Sequence, residues 1–548
     1  MGTHCNYTMT PNLISCELLG QLPRVAAEHW GNRKALIFKD KTWTYQEFEE
    51  EVQALSRALA GAGIRAGDRV ALWLPNCPEL QFLLFAITRI GAVAVPLNTR
   101  YKSMDLTYAL NRSGCVMVIS CTRAGPVDLD AILMGALGEP TERGPGKLAF
   151  GAVPSLETVV MIGDSAIPGS VPWPVFHRGG RAVAGQPASP SIQPSDVALM
   201  LFTSGTTGRP KGVLLSHAGL RLCRDRARIM ELSERDIQLT YLPLFHIYAF
   251  GYSVLMSFMC GAMQVLMEVF NGEQALRLIH QHRVSVIHGF EAHFADLLAA
   301  KRRLSLDASS LRFASFATGA ESIRELAERV QTELCETASS YGLTETWGGI
   351  TISPPGTTLS QRCEASGMPQ PGIEIRIVDA ESGRVLPTNT IGEIQVRTYA
   401  RLLAYHDDPE ATAAALDDGW FRTGDAGLLR EDGYLRCLAR YKDMLKVGGE
   451  NVAPAEIEGL LCGIPGIRAA AVVGQKNDRL QEVPVAFVVA EPGHHPGESE
   501  IIEFFRGKIA NFKIPARVIF IDELPMTPTG KVQKEVLRKR LQSGPATE

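Results

Sequence analysis

Apolar strands and amphipathic helices alternate regularly between residues 34 and 120. The segment WTYQEFEEEVQALSRALAGAG is typical of a helix that ends at a glycine, and the apolar run RVALWLPN after it is typical of a buried strand. The pair then recurs as ELQFLLFAITRIG and AVAVPLN. Strands that alternate with helices pair in parallel and carry the helices on their faces. The sequence therefore predicts an α/β fold built on a helix-covered parallel sheet.

The remainder of the 548-residue chain divides into regions with different patterns of predicted helices and strands. The alternation resumes after residue 195, whereas residues 122–195 are rich in proline and glycine and are predicted to be mostly surface connection. Past residue 370 the strands are shorter, which indicates a small antiparallel sheet or barrel. From about residue 444 a compact unit follows. We therefore predict a large N-terminal domain of mostly parallel sheets with a small β-barrel-like part, and a small α+β C-terminal domain.

Composition and charge argue against several classes of protein. A formal net charge of −4 gives no general attraction to nucleic acid or anionic membranes, so any anion site must be built locally. The eleven cysteines are scattered singly, which favours reduced thiols in the cytoplasm and disfavours structural zinc. The N-terminus lacks the features of a secretory signal. Residues 248–267 carry no charge and could cross a membrane, but their glycines and polar residues favour a buried helix followed by a buried strand.

The ten residues 203–212, TSGTTGRPKG, directly follow the apolar strand VALMLF. Their glycines allow a tight turn that brings backbone N–H groups near an anion. Four hydroxyl side chains and the cation of Lys211 add further donors. The Walker A pattern GxxxxGK[ST] does not fit in any frame. This segment therefore predicts a site for an oxygen-rich anion that differs from a P-loop.

TSGTTGRPKG closely resembles the phosphate-binding motif of the adenylate-forming superfamily, which includes acyl-CoA synthetases, adenylation domains and luciferases. Five further motifs follow in the order of that family: LPLFHIY at 242–248, YGLTET at 341–346, WFRTGD at 420–425, RYKDMLKVGGENVAPAEIE at 440–458 and PMTPTGKVQK at 525–534. The resemblance covers nearly the whole chain. It implies an ATP-dependent acid–CoA ligase, which converts a carboxylate, ATP and coenzyme A to acyl-CoA, AMP and diphosphate through an acyl-adenylate.

The resemblance implies a nucleotide site drawn from several segments of the chain. Its residues are Thr203, Ser204, Gly205, Thr206, Thr207, Gly208, Lys211, Gly319, Ala320, Glu321, Tyr341, Gly342, Thr344, Asp425 and Arg440. Tyr341 is expected to offer a flat face to adenine, and Thr344 to bond the α-phosphate. Asp425 follows a strand and a glycine, where it is placed to accept two hydrogen bonds from the ribose hydroxyls. Arg440 is expected to reach the ribose or a phosphate from the domain junction.

Four residues are implied to act on the reacting groups: Lys531, Thr206, Glu345 and His246. Thr206 and Glu345 are the implied ligands of Mg²⁺, a hard cation that prefers oxygen ligands and shared phosphates. His246 lies in the aromatic segment beside the acyl pocket. Lys531 is implied to bridge the substrate carboxylate and the α-phosphate, because two anions must approach each other and a fixed cation lowers that barrier.

The resemblance also implies that one active site serves two reactions in sequence. Residues 1–439 are expected to hold the acyl and ATP sites, and residues 440–548 to form a mobile lid with its hinge near Lys442. In the first orientation, which makes the smaller demand on the hinge backbone, Lys531 completes the adenylation site. After rotation another face of the lid is implied to line the coenzyme A tunnel. The implied coenzyme A contacts are Lys446, Gly448 and Gly449.

The predicted acyl pocket is mostly apolar and aromatic, with several glycines that leave room. Its wall comprises His246, Tyr248, Gly251, Tyr252, His288, Phe290, Thr318, Gly319 and Trp347. Such a wall fits a medium- or long-chain fatty acid and an aryl acid alike. In the segment VIHGFEAHFAD, at residues 286–296, the chain departs from the proline-containing pattern of the family. The identity of the acid is therefore not transferable from close relatives.

Three other functions use similar motifs. An enzyme that loads an amino acid onto a carrier protein needs an acidic residue near His246 to hold the ammonium, and LFHIYAF has none. A stand-alone acyl-AMP ligase tends to carry an insertion near the hinge, where residues 437–446 are compact. A non-catalytic binding protein does not need Lys531, Glu345 and Asp425 together. The leading hypothesis is ligation of a small-molecule acid to free coenzyme A, without nucleic acid or a membrane span and with a homodimer allowed. Transfer of the acyl group to a carrier protein is the alternative.

Overall fold

The computed structural model describes residues 13–144, 147–182, 191–203, 210–316, 323–447, 450–477, 479–494, 496–506, 509–526 and 532–542. Within these ranges the chain forms two large sheets, a smaller antiparallel sheet and a compact C-terminal unit. No helix in the described ranges combines the length and the apolar character that crossing a membrane requires. The predicted α/β fold class is confirmed.

The first large sheet contains the strand that leads into TSGTTGRPKG. Its described strands, in spatial order, are Val171–Pro172, Thr158–Ile162, Met117–Cys121, Arg69–Trp73, Val93–Pro96, Val197–Thr203, Lys211–Ser216 and Ala404–Tyr405. The first six pair in parallel, and the last two join antiparallel. Parallel strands in such sheets are covered on both faces. This explains why Met117–Cys121 is buried at every position.

The second large sheet is also mostly parallel, and its strands come from two separate parts of the chain, residues 34–44 and 237–338. Its described strands, in spatial order, are Glu336–Ala338, Phe313–Phe316, Val286–Gly289, Ile237–Thr240, Met263–Leu266, Lys34–Phe38 and Lys41–Thr44. Only the last pair in this order is antiparallel. The strand Lys34–Phe38 pairs on one side with the next strand in sequence, Lys41–Thr44, and on the other side in parallel with the distant strand Met263–Leu266.

The helices follow the predicted segments and begin at recognisable capping residues. Thr44 and Glu47 form a capping box that starts Tyr45–Gly61. The described α-helices are Leu22–Trp30, Tyr45–Gly61, Pro78–Arg89, Ser103–Ser113, Leu129–Leu137, Trp173–Ala182, Gly219–Ile229, Ile247–Ala249, Met256–Cys260, Gly272–His282, Glu291–Leu304, Arg324–Glu333, Leu359–Cys363, Pro409–Ala415, Pro454–Cys462, Glu498–Phe505 and Lys534–Gln542.

The prediction that residues 122–195 are mostly surface connection is wrong in three places. Thr158–Ile162 is a strand of the first sheet, and Leu129–Leu137 and Trp173–Ala182 are helices. Gly180 illustrates the reason, because a Cβ at this position would lie 1.9 Å from the backbone oxygen of Ala54. The glycine lets one helix approach another closely. Glycine and proline here separate and pack regular elements, whereas the prediction took them as signs of irregular chain.

The uncharged stretch 248–267 is confirmed as a buried helix followed by a buried strand. The helix that begins at Ile247 continues as the π-helix Phe250–Leu255 and the α-helix Met256–Cys260. Gly261 ends it in the left-handed conformation, with φ +75°, and Met263–Leu266 then enters the second sheet. All residues of Phe250–Cys260 are buried.

The small antiparallel sheet predicted after residue 370 is confirmed, but the prediction of shorter strands is wrong, since Trp420–Leu429 spans 10 residues. The small antiparallel sheet contains Glu374–Val378, Gly392–Arg397, Trp420–Leu429, Leu416–Asp417 and Leu435–Arg440. The C-terminal sheet contains Glu450–Val452, Leu445–Val447, Gln481–Ala490, Ile467–Asn477 and Arg517–Phe520. Buried apolar residues from Ile14 to Leu435 form one core, whereas those from Leu445 onward form separate clusters. The C-terminal unit therefore buries a core of its own.

His217 ties the first sheet to the N-terminal segment and makes stability depend on pH. The residue is buried, and its Nδ1 accepts the backbone N–H of Leu19 at 3.1 Å. Burial lowers the pKa of His217 to about 4, against a smaller opposing effect of Asp196. In the unfolded chain a histidine has a pKa near ~6.5. Between these two values the unfolded state binds more protons, so stability is lost as the pH falls.

We expect His217 alone to lower the free energy of unfolding by about 2 kcal/mol when the pH falls from 7 to 5. Thermal unfolding of the wild type and of His217→Asn across this range measures the effect, since an asparagine oxygen can accept the same N–H. The variant should lose less stability on acidification. An equal loss of stability in the wild type and the variant would show that His217 is not the cause of the pH dependence.

Candidate active site

The two described ends of the motif TSGTTGRPKG lie on the paired strands of an antiparallel hairpin. Val197–Thr203 and Lys211–Ser216 form the arms, and Thr203 lies directly opposite Lys211. The fold therefore brings two of the predicted phosphate contacts together at one end of the hairpin. Residues 204–209 lie outside the described residues, and so do the predictions for Ser204, Gly205, Thr206, Thr207 and Gly208.

Lys211 points toward a short strand from much later in the chain. Its Nζ lies 5.1 Å from the ring centre of Tyr405 and 3.9 Å from the carboxylate of Asp408. A charge-assisted hydrogen bond is shorter than ~3 Å. The carboxylate therefore balances the charge of Lys211 without occupying its donors at close range.

Glu345 lies in the same neighbourhood, held by a residue that the sequence analysis did not identify. Its carboxylate is buried in the turn Thr344–Thr346 and accepts the hydroxyl of Tyr405 at 3.0 Å. Tyr405 reaches this position because its strand pairs with the hairpin opposite Val213. Burial and the charge of Glu345 raise the pKa of Tyr405, so the phenol stays protonated and remains a donor. No motif signals Tyr405, since its strand has only two residues.

The segment YGLTET folds into a hairpin that only glycine permits at its start. Gly342–Leu343 pairs with Gly348–Gly349, and a Cβ on Gly342 would lie 1.8 Å from the backbone oxygen of Gly348. This close approach fixes the positions of Tyr341 before the hairpin and Thr344 within it. The predicted residues of this motif are therefore placed by backbone packing as well as by their side chains.

Asp425 is the acceptor at the centre of a trio with Tyr341 and Arg440, in which Asp425 and Tyr341 are buried and Arg440 is exposed. The Tyr341 hydroxyl donates to one carboxylate oxygen at 2.7 Å, and Arg440 Nη1 lies 3.1 Å from the other. Asp425 and Arg440 face each other across neighbouring strands, directly after Gly424 with φ +67°. The two contacts hold both carboxylate oxygens of Asp425 in fixed positions.

The charges of this trio are mutually stabilised. Burial raises the pKa of Tyr341, and the Asp425 carboxylate raises it further, so the phenol is a neutral donor. Burial by itself lowers the pKa of Arg440, but Asp425, Tyr341 and Glu345 together raise it above its ordinary value. Because the charges of Asp425 and Glu345 both act on Arg440, the structure places the predicted ribose acceptor and the predicted Mg²⁺ ligand near a common cation.

The predicted acyl wall is gathered around Tyr248. Its ring lies 5.2 Å from that of Phe290 and 4.7 Å from that of Tyr252, and its hydroxyl contacts Ser315 Oγ at 2.6 Å. His288 contacts the same Ser315 oxygen at 2.7 Å. His246 is half-buried and immediately precedes the helix that carries Tyr248. Trp347 is fully buried, and Thr318 and Gly319 lie outside the described residues.

The remaining predicted contacts lie in the C-terminal part of the chain or outside the described residues. Lys446 is half-exposed and its Nζ donates to Glu381 at 2.8 Å, a hydrogen bond that raises the pKa of the lysine. An exposed pair of this kind contributes little to stability and separates readily. The predictions for Gly319, Ala320, Glu321, Gly448, Gly449 and Lys531 lie outside the described residues.

Known proteins with similar sequences and structures share this organisation. Residues 23–406 match the family described as AMP-binding enzyme, and residues 456–531 match its C-terminal domain. The chain is 37% identical over 95% of its length, and 97% of the relative, to a propanoyl:CoA ligase of Mycobacterium tuberculosis whose acyl group is named with a 7a-methyl-1,5-dioxo-octahydro-indene ring system. It is 33% identical to the fatty acid–acyl-carrier-protein ligase ScoC of Streptomyces coeruleorubidus, with 96% of each chain covered.

Among solved structures, the anthranilate CoA ligase AuaEII in complex with anthranoyl-AMP superimposes with a TM-score of 0.81. That chain is 26% identical, and 96% of this chain and 97% of that one are covered. The sequence motifs, the trio around Asp425 and these matches over nearly the full length agree. The chain belongs to the AMP-binding enzyme family and carries both its main and its C-terminal domain.

Proposed function

We propose that this protein joins a carboxylic acid of the fatty or aryl class to free coenzyme A through an acyl-adenylate, at the expense of ATP. The trio of Tyr341, Asp425 and Arg440 carries this proposal, because it supplies a buried, fixed acceptor for ribose where the family motif predicts one. The reaction class is that of the family and its ligase relatives. The acyl group named for the M. tuberculosis relative is a bulky ring system, which supports a large acid here as well.

The roles of the individual residues form part of the proposal. Thr203, Lys211 and the intervening loop would hold the phosphates, Thr344 the α-phosphate and Tyr341 the adenine face. Asp425 and Arg440 would hold the ribose. His246 would border the acid, and Lys531 would bridge the carboxylate and the α-phosphate. Their support is the family motif at each position together with the clustering of Lys211, Glu345, Asp425 and Arg440.

Mg²⁺ fits the acidic end of this cluster. Glu345 presents a buried carboxylate whose one oxygen takes the Tyr405 hydroxyl, and carboxylate oxygen is the ligand type that Mg²⁺ prefers. We propose Glu345 and Thr206 as its protein ligands. When bound, the ion would neutralise phosphate charge during adenylation. No group of three or more His, Cys, Asp or Glu side chains that could hold a metal ion occurs among the described residues.

The two-domain division is proposed on the same basis. Residues 1–439 would form the main domain and residues 440–548 the lid, with Lys442 as the pivot and Lys446, Gly448 and Gly449 facing coenzyme A after rotation. The separate hydrophobic core of the C-terminal unit supports this boundary. We also propose a cytoplasmic location, since the cysteines are scattered singly.

The direct test is a purified-protein assay with ATP, Mg²⁺, coenzyme A and a panel of fatty and aryl acids, with AMP and acyl-CoA as readouts. Omission of coenzyme A should leave the adenylate bound and stop turnover. A carrier protein as the acceptor is the second candidate, because the relative ScoC is named as a ligase for one. Turnover with a phosphopantetheine-bearing carrier protein and none with coenzyme A would establish that alternative.

Removal of the ribose acceptor should weaken nucleotide binding selectively. We expect Asp425→Ala to weaken ATP binding by about 1.5–3 kcal/mol, which is roughly a 10- to 100-fold rise in Kd, because charge-assisted hydrogen bonds are lost. Equilibrium titration with ATP measures the effect. Glu431→Ala, on the exposed turn after the same strand, is the matched control. An unchanged ATP affinity in Asp425→Ala would remove this residue from the site.

A further inference from the structure

Arg226 is a fully buried cation without a carboxylate partner in the described part of the chain. It lies on the helix Gly219–Ile229, and its side chain has no exposed surface. Its Nη2 donates to the backbone oxygen of Gly349 at 2.5 Å, while its Nε is buried without a partner. The neighbouring carboxylate of Asp225 instead pairs with three other arginines of this helix. A buried charge is costly unless it is paired and hydrogen-bonded.

A row of aromatic side chains leads from the surface to this cation. The aromatic row comprises Phe290, Tyr248 and Tyr252. Phe290 is 48% exposed, Tyr252 is buried, and the Arg226 guanidinium lies 3.9 Å above the Tyr252 ring. These are residues of the predicted acyl wall. Gly251 lies beside the guanidinium of Arg226, because a Cβ at residue 251 would lie 3.6 Å from Nη1. As a glycine, it places no side chain between Nη1 and the aromatic row.

The opposite side of the aromatic row offers hydrogen-bond donors and no negative charge. His288 is buried, with Nδ1 2.7 Å from Ser315 Oγ and Nε2 2.8 Å from Gln238 Oε1. Burial, reinforced by the charge of Arg226, lowers the pKa of His288 to about 3, so the ring is neutral. The amide nitrogen of Gln238 is buried without a partner. The region thus holds a cation and an amide donor, both buried and both short of acceptors.

We propose that the acyl pocket selects an acid that carries a second oxygen acceptor remote from the carboxylate to be activated, and that Arg226 binds this oxygen. The proposal rests on the ligase function given above. With a hydrocarbon tail the buried guanidinium would keep only the Gly349 oxygen and the Cys223 sulfur as acceptors and would have no anion. A carbonyl or carboxylate oxygen would add a charge-assisted hydrogen bond. A ketone and a second carboxylate share this chemistry. Arg226 is therefore assigned as a specificity residue and not as a catalytic one.

The test compares acids of equal chain length that differ in the remote group. Hexanoic, 5-oxohexanoic and hexanedioic acids form one set, and decanoic, 9-oxodecanoic and decanedioic acids form another. With the wild-type enzyme, kcat/KM from diphosphate release should favour an oxygenated acid over the plain acid by about 10- to 100-fold in at least one set. Preference for the oxo acid identifies a neutral acceptor, and preference for the diacid identifies charge pairing.

Arg226→Met should reduce this ratio to near one, whereas Arg228→Met, on the same helix and partly exposed, should keep it. Thermal unfolding shows whether the variant is folded, and the wild-type comparison stands even if it is not. A wild-type preference for the plain acids, or an equal loss for all acids in a folded Arg226→Met enzyme, would overturn the inference. If the wild type formed no AMP with any acid, the ligase function would fail, and the inference with it.

Discussion

Lys531→Ala should lower acyl-adenylate formation by about 10²–10³-fold, while thioester formation from a supplied acyl-adenylate stays near its native rate. Adenylation brings the substrate carboxylate against the α-phosphate, and a fixed cation between the two anions is needed only for that step. In the proposed mechanism Lys531 faces the reacting groups in one orientation of the lid and leaves them in the other. Isotope exchange between ATP and diphosphate measures the first half-reaction, and coenzyme A added to a synthetic acyl-adenylate measures the second.

The control for this variant is Arg540→Ala, which removes an exposed cation from the tail helix Lys534–Gln542. It should leave both half-reactions unchanged. An equal loss of both half-reactions in Lys531→Ala would show that the lysine serves them together, and the two-orientation mechanism would have to be abandoned.

Lys442→Pro should reduce acyl-CoA output by about 100-fold and leave a burst of diphosphate from the first adenylation. Lys442 lies in the 3₁₀ turn Tyr441–Asp443, where φ is close to the −65° that proline imposes. In the proposed mechanism rotation of the lid changes the backbone angles in this turn, and proline, whose ring fixes φ, opposes that change by about 3 kcal/mol. Each ~1.4 kcal/mol corresponds to a factor of ten. Rapid-quench measurement of diphosphate and acyl-CoA separates the two steps.

Lys442→Ala is the matched control, because it removes the side chain and keeps the backbone free to rotate. Its two half-reactions should both proceed, and the melting temperature of the proline variant should stay within a few degrees of the wild type. Acyl-CoA production near the wild-type rate in Lys442→Pro would place the pivot elsewhere in residues 440–446.

The sequence motifs located the residues of the candidate site better than they explained their contacts. Tyr341, Asp425 and Arg440 were all predicted from separate motifs, but the pairing of Asp425 with both partners depends on strand register and burial. Tyr405 was not predicted, because a two-residue strand has no periodicity, and it meets Glu345 only through its pairing with the hairpin. Long-range pairing of this kind is invisible in a single sequence.

Arg226 shows that a signal can be present and be overlooked. The run RLCRDRARI carries five charged residues in nine, a composition typical of a solvent-facing helix. However, Arg226 is four residues after Leu222 and three before Ile229, so it falls on the buried stripe of a helix. For residues 122–195 the prediction was wrong because a signal was given the wrong meaning. The glycines there were taken as signs of irregular chain, although Gly180 allows one helix to pack closely against another.

The pairing of Lys34–Phe38 with Met263–Leu266 has a consequence for the folding of this chain while the ribosome synthesises it. Leu36 meets its neighbour Gln264 only after about 230 further residues have been made, which takes roughly 10–45 s at ordinary rates of synthesis. During that interval one edge of the first hairpin lacks its native neighbour. Nascent chains that stall before residue 266 should therefore be held by chaperones or aggregate, whereas longer ones can pair this edge with Met263–Leu266.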